Sequence, residues 1–408
     1  VIISWNRRTL GELCSFQRGL TYQKSDEVDV SSNIILRANN VDLATNSLNF
    51  DELKFIDDKV KIPGTKKVKK GALLICVASG SKSHLGKVAY IDRDYGYAFG
   101  GFMGMILPGV EIDPRYLFYL MTSGAYKRFI SELSDGTNIN NLKFDDLARF
   151  DVPFPPLPEQ RRIVALLDEA FAGLETLRAN AEKNLQNARE LFESYLKGSL
   201  DDAASKHNLV KLDLICEFQN GFAFKSSLFR KEGEPILRIS NIQNDEVIPD
   251  GLVYFNPTDY RENLDRYRVY KGDLLIAMSG ATTGKIGFNN HNYTFYLNQR
   301  VGKFIPNEKL NCRFLFYYLR AKADENLSIS AGAAQPNLIT EQIRNFLIPL
   351  PPIGLQGSLV NEIDRISDST IFLIERYNQK LQLIEELKQS LLHQAFSGQL
   401  KTSKTAAA

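Results

Sequence analysis

The chain has 408 residues, 44% of them hydrophobic, and carries 50 basic against 48 acidic side chains for a net charge of +2. That is enough chain for two domains with cores of their own, and it excludes a basic-tail protein: any nucleic-acid affinity must come from positive charge gathered on chosen surfaces. No apolar run reaches the roughly 18–20 residues of a membrane span, nothing near Val1 reads as a signal peptide, and the four Cys and four His show neither C-x-x-C pairs nor zinc spacing, so a reduced cytoplasmic protein without a structural metal is expected.

In chain order, short β-branched and aromatic runs bounded by Gly, Asn and Asp read as strands: ILRA from Ile35, ALLICV from Ala72 and KVAYI from Lys87. Asp113-Pro114, a helix cap followed by proline at the first helical position, starts a helix expected to run to about Leu133. PFPPLP (Pro153 to Pro158) reads as a linker, because proline sits neither inside a helix nor in a central strand. Apolar positions then step 4-3-4-3 through Ile163, Leu167, Ala170, Leu174, Leu177, Ala181, Asn184, Ala188, Leu191 and Tyr195, the mark of a coiled-coil helix.

The same plan then repeats. Strand-like ILRI, DLLIAM and YTFYL lie in the second half, a helix starts near Asn311, PLPP (Pro349 to Pro352) is the second linker, and a second seam runs Ile363, Ile366, Thr370, Leu373, Tyr377, Lys380, Ile384, Leu387 and Leu391. The match is literal in places. SFQRGLTY (Ser15 to Tyr22) returns as EFQNGFAF (Glu217 to Phe224), ILRANNVD as ILRISNIQ, RYLFYLM as RFLFYYL, and FDVPFPPLPEQ as FLIPLPPIGLQ. An offset of about 200 residues means two copies of a domain-plus-helix unit, not a solenoid. Asn184 and Lys380 are the conspicuous polar members of the two seams. They point either to solvent or into the seam, where a polar residue fixes register at a cost in stability.

LLIAMSGATTGKIGF (Leu274 to Phe288) looks at first like a nucleotide-binding loop. Only three residues separate Gly280 from Gly284, however, and Ile286 stands where a magnesium-binding hydroxyl is required. Its partner, ASGSKSHLGKVAY (Ala78 to Tyr90), has five residues between Gly80 and Gly86. A phosphate cradle fixes its loop length. A loop that varies on a constant scaffold suits a reading surface.

Chain order constrains the geometry. The second domain follows the end of the first helix and precedes the start of the second, so helices that pack together must be antiparallel. The expected fold is α+β: two mixed α/β domains joined and separated by two long antiparallel coiled-coil helices, with approximate internal two-fold symmetry. The expected boundaries are 1–158, 159–205, 206–353 and 354–408.

The tandem units, the Pro-rich linkers, EQRRIV (Glu159 to Val164) and LLHQAFSGQL (Leu391 to Leu400) resemble the specificity subunit of type I restriction–modification enzymes across nearly the whole chain. The resemblance implies two target recognition domains, each reading one half of a bipartite double-stranded DNA target. It also implies helices that set the spacer and dock two modification (methyltransferase) subunits, with the restriction subunit joining through that core and no membrane involved. Any S-adenosylmethionine, ATP and Mg would then sit on partner subunits, with no cofactor on this chain. The departure at Gly354-Leu355-Gln356-Gly357 from Pro158-Glu159-Gln160-Arg161 removes the ground for equal affinity at the two modification subunits. The residues agree with a non-catalytic reader. The Pro pairs Pro155-Pro156 and Pro351-Pro352 follow Phe154 and Leu350 rather than the polar residue an adenine methyltransferase needs, no G-x-G-x-x-G accompanies a first strand, and no nucleophile–base set is evident.

Base readout requires Arg, Lys, Asn, Gln, Ser and Thr on exposed loops. In the first domain the candidates are Arg37, Asn39 and Asn40; Ser81, Lys82, Ser83, His84 and Lys87; and Thr137, Asn138, Asn140 and Asn141. In the second they are Arg238 and Asn241; Thr282, Thr283 and Lys285; and Asn298, Gln299, Arg300, Gln335 and Asn337. Loop Asn and Ser also form turns, and Arg37 and Arg238 are equally readable as buried structural partners. GGF (Gly100 to Phe102) occupies the place of NQR (Asn298 to Arg300), so the two halves are not expected to read the same sequence. The alternatives are a coiled-coil protein-binding adaptor and a divergent nuclease.

Overall fold

A computed structural model describes residues 5–43, 45–81, 84–135, 141–323 and 337–400. The chain forms two compact units, Val1–Glu182 with Gln379–Ala408, and Lys183–Asn378. Each unit therefore contains one mixed domain and a part of each long helix, rather than leaving the helices as bodies of their own.

In the first unit a four-stranded antiparallel sheet runs Cys14–Arg18, Met103–Pro108, Leu73–Cys76, Val88–Tyr90. The run LLIC is buried at every position because both faces of this sheet are covered. Leu73, Ile75 and Ile106 pack toward the helices, while Leu74, Cys76, Met103 and Met105 face the other way, as the two-residue period of a strand requires. A second sheet orders Glu27–Val28, Lys54–Ile56, Asn33–Leu36, Ala98–Phe99.

The second unit repeats this with Cys216–Asn220, Val301–Pro306, Leu274–Ala277 and Ile286–Phe288, extended by Glu246–Val247 and Ile242–Gln243 to six strands. Its second sheet is Val253–Phe255, Glu234–Leu237, Phe295–Leu297, Arg268–Val269.

Helix caps follow the sequence. The Asp113 carboxylate accepts the backbone N–H groups of Arg115 and Tyr116 at 2.9 and 3.1 Å, and Asn311 accepts those of Arg313 and Phe314 at the same distances. The helix expected from Asp113 to about Leu133 is instead two, Pro114–Leu120 and Gly124–Asp135. The Thr122 and Ser123 hydroxyls donate to the carbonyls of Tyr119 and Leu120 at 2.9 and 2.6 Å, ending the first helix before Gly124.

The Pro-rich stretches are more than linkers. Asp151–Phe154 pairs antiparallel with Asn6–Thr9, and Leu347–Pro349 pairs with Leu209–Lys211. Proline is tolerated because each strand has a single partner. The long helices begin at once, Leu157–Lys206 (50 residues) and Ile353–Phe396 (44 residues).

Within the first unit the two helix segments run antiparallel. Arg162 reaches the carbonyl of Leu400, and further along Lys388 lies over the ring of Phe171. Leu392 and Ala395 share the core with Ile163, Leu167 and Tyr116. In the second unit Phe192, Leu196 and Leu200 share a core with Val360 and Ile363.

The seams need correcting in alternate layers. Ile163, Leu167, Leu174, Ala181, Ala188 and Ile363 are buried, and Ile366, Tyr377, Ile384 and Leu391 half-buried. Leu177, Asn184, Leu191, Leu373, Lys380 and Leu387 are exposed, and Arg178, Leu185, Phe192, Ile374, Leu381 and Lys388 lie further inward. A helix of 3.6 residues per turn lets either of two adjacent positions meet the seam. Leu185 and Leu381 take the layers assigned to Asn184 and Lys380, so neither polar residue fixes register from inside.

Candidate nucleic-acid interface

The glycine loop of the second domain is not a phosphate cradle. Gly280 and Gly284 adopt φ of 78° and 81°, which glycine permits at little cost. Three consecutive N–H groups of the loop are already used: Thr283 donates to Gly280, Gly284 to Ala277 and Lys285 to Thr282, at 3.1, 2.8 and 3.0 Å. A phosphate-binding loop leaves its N–H groups free to converge on the ligand.

In the first domain the loops at Arg37–Asn39, Ala78–Gly80 and Gly100–Phe102 meet at a groove of about 840 Å³. Arg37 is half-buried, with an Nε that lacks a partner. Asn39 is exposed and its amide reaches the Glu52 carboxylate at 3.3 Å. Glu27 also lines the groove, but Lys54 binds it at 2.6 Å, and that bond holds its carboxyl below the usual range. Ser81 is exposed on the neighbouring turn, and His84 is half-buried behind it. Exposed Asn141, outside the groove lining, bridges to Ala78 and so ties its own loop to the groove wall.

The second domain has a smaller groove of about 440 Å³, lined by Ser279, Gly280, Gln299, Arg300 and Asn337 among others. Asn337 bridges to Ser279, as Asn141 does to Ala78. Gln299, Arg300 and Lys285 are exposed, and half-buried Asn298 accepts the Arg300 backbone N–H at 3.4 Å. The hydroxyls of Ser279 and Thr282 are buried with no partner. Arg238 does not line this groove; its guanidinium donates to the carbonyl of Gly251 at 2.9 Å.

Four candidates turn inward and hold loops together instead. Asn40 is buried, accepts the Arg37 backbone N–H at 2.8 Å and donates to the carbonyls of Asn49 and Glu52, both at 2.9 Å. Asn241 does the same for Arg238, Ile248 and Asp250. The Lys87 ammonium donates to the Val41 carbonyl at 2.7 Å and lies 3.3 Å from His84 Nδ1; burial pushes its pKa down. Thr283 is buried and donates to the Gly280 carbonyl at 2.7 Å. A buried polar loop must satisfy its backbone, and these side chains do so. Lys82, Ser83, Thr137, Asn138, Asn140 and Gln335 lie outside the described residues.

Phe102 is 73% exposed on the groove edge, although its ring is not among the polar side chains that base readout by hydrogen bonds requires. Its alignment with Arg300 in the repeat is the signal that finds it. Among the described residues no group of three or more His, Cys, Asp or Glu is placed to hold a metal, and no helix is long and apolar enough to cross a membrane.

The chain is similar to known proteins over nearly its full length. The family model described as the type I restriction modification DNA specificity domain matches residues 3–185 and 205–383. The EcoKI specificity subunit of Escherichia coli is 23% identical over 97% of this chain and 89% of its own length, and the EcoDI specificity subunit of E. coli is 30% identical over 78% and 75%. A chain from a structural study of complex assembly in the type I R-M system matches with a TM-score of 0.78 at 19% identity, covering 97% of this chain and 98% of its own. The HsdS subunit from Thermoanaerobacter tengcongensis matches at 0.61 and 19%, covering 97% of each. With both copies of the repeat matched by that model on a shared fold, the chain belongs to the family of type I restriction–modification DNA specificity subunits.

Proposed function

We propose that this chain selects the DNA target of a type I restriction–modification complex, each domain reading one half of a bipartite sequence. The observation that carries the reading is the pair of grooves edged by the same two loops of the repeat but with unlike side chains, one bearing Phe102 and the other Gln299 and Arg300. A constant scaffold with different tips is what reading two different short sequences requires. The long helices set the spacing between half-sites and dock two modification subunits, through which the restriction subunit joins. The chain itself carries no catalysis. S-adenosylmethionine, ATP and Mg belong to the partners, and the complex works on cytoplasmic double-stranded DNA.

The test is methylation mapping in cells with and without this gene, together with binding by the purified complex across a salt titration. The expected result is one two-block motif whose methylation depends on the gene, and salt-sensitive binding to it. Salt-insensitive or absent DNA binding would favour a protein-binding adaptor. Metal-dependent nicking by the chain alone would favour a nuclease.

A further inference from the structure

Phe102 and Arg300 stand on one backbone platform built twice. In the first domain Gly19 N–H donates to Met103, Leu20 to Phe99, Gly100 to Leu36, Met103 to Gly100, and Val77 to the carbonyl of Phe102. In the second Gly221 donates to Val301, Phe222 to Leu297, Asn298 to Leu237, Val301 to Asn298, and Met278 to the carbonyl of Arg300. The bonds correspond one for one, at 2.7–3.0 Å. Both turns also need a glycine beneath them, because a Cβ on Gly19 or Gly221 would overlap the carbonyl oxygen of Gly100 or Asn298.

The side chains on this platform are opposite in kind. Arg300 is exposed, and neither its guanidinium nor the amide of Gln299 has a partner among the described residues. Below them the groove holds the unpartnered hydroxyl of Ser279. At the equivalent point the first domain offers the bare ring of Phe102, flanked by Gly101.

A phosphate contact would be the same in both halves, since every phosphate is alike, and a phenyl ring cannot hold one. A base contact must change with the base. Arginine forks onto O6 and N7 of guanine, whereas an aromatic ring suits the thymine methyl group. We propose, resting on the DNA-reading function above, that position 102/300 is the principal base discriminator of each half. Arg300 reads a guanine in the major groove of the second domain's half-site. Phe102 makes an apolar contact with a thymine methyl in the first domain's half-site.

The experiment uses the complex with its modification subunits and maps methylation for the wild type and for Arg300→Ala, Arg300→Lys, Phe102→Ala and Phe102→Arg. Arg300→Ala should relax one guanine position in one half-site, lowering discrimination there by roughly ten- to a hundredfold, with the other half unchanged. Arg300→Lys should relax the same position while keeping affinity for unrelated DNA, because it keeps the charge and loses the fork. Phe102→Ala should relax a thymine in the other half, and Phe102→Arg should bring a guanine preference there. An unaltered motif in Arg300→Ala, full guanine discrimination in Arg300→Lys, or equal weakening on all sequences would each overturn the assignment. A wild-type complex with no bipartite motif overturns the DNA-reading function itself, an outcome distinct from those three.

Discussion

Gln356 accepts the backbone N–H of Asn311 through its side-chain oxygen at 2.8 Å, tying the start of the second long helix to the cap of the domain's own helix. Its amide also donates to the carbonyls of Lys309 and Pro351 at 2.9 and 2.8 Å. Gln160 repeats the clamp on Asp113, Glu111 and Pro155 at 2.7, 3.1 and 2.9 Å. Both glutamines are fully buried.

Replacing Gln356 by Leu leaves the Asn311 N–H and the Lys309 and Pro351 carbonyls without their clamp partner while keeping the volume nearly constant. Buried groups left unsatisfied cost about 1–3 kcal/mol each, with partial relief from relaxation, so Gln356→Leu should destabilise by about 2–4 kcal/mol. Urea unfolding of the variant beside an exposed control such as Gln382→Leu measures it. A loss below about 1 kcal/mol shows that the clamp is replaced by water or by repacking.

Lys87 and Lys285 occupy equivalent loop positions, yet one is buried and the other exposed. Lys285→Ala should weaken binding to all DNA sequences alike and reduce the salt slope by about one, with stability unchanged. Lys87→Ala should destabilise the first domain and leave the salt slope as it was, because its ammonium is spent on Val41. Salt titrations of binding and thermal unfolding of both variants separate the two; a flattened slope in Lys87→Ala would reverse the assignment.

Tyr119 and Tyr317 each donate a hydrogen bond to a long-helix carboxylate, Asp168 and Asp364, which also pair with Arg115 and Arg313. Burial first, and then the hydrogen bond to the carboxylate, pushes both phenols up to about 12 from an ordinary 10. The unfolded chain therefore loses these protons at lower pH than the folded one. The stabilisation is complete below about pH 10 and is lost as pH rises toward about 12. Tyr119→Phe combined with Tyr317→Phe should flatten the alkaline decline in stability; an unchanged slope between those values would falsify the origin given for it.

The spacer assignment has its own test. Seven residues inserted after Ala181 and seven after Tyr377 keep both seams in phase. Each insertion lengthens its helix by about 10 Å, or about three base pairs at roughly 3.4 Å. Methylation mapping should return the same half-sites with a spacer about three pairs longer. An active variant that still demands the original spacer removes the helices from that role.

What was legible in the sequence was local or repeated. The Asp113 and Asn311 caps depend on neighbouring residues alone, and the duplication needs only comparison of the chain with itself. Side-chain direction was less legible. Asn40 and Asn39 are adjacent in one short turn, yet one is buried under Asn49 and Glu52 while the other faces the groove; only the segment folding over them decides. The seam layers shifted for the same reason: Leu191 and Phe192 are both apolar, and the partner surface chooses Phe192.

The pairing of Asn6–Thr9 with Asp151–Phe154, matched by Leu209–Lys211 with Leu347–Pro349, bears on how such a protein diversifies. The chain enters and leaves each reading domain side by side, through a single two-stranded clasp. Everything between the two strands can be exchanged as one cassette, at two adjacent points, provided the incoming stretch keeps the residues that pack on the long helices, such as Asp113 and Tyr116. A genetic exchange that replaces the stretch between such clasps would hand the cell a whole new recognition half in one event, where a point substitution such as Phe102→Arg changes one position of it.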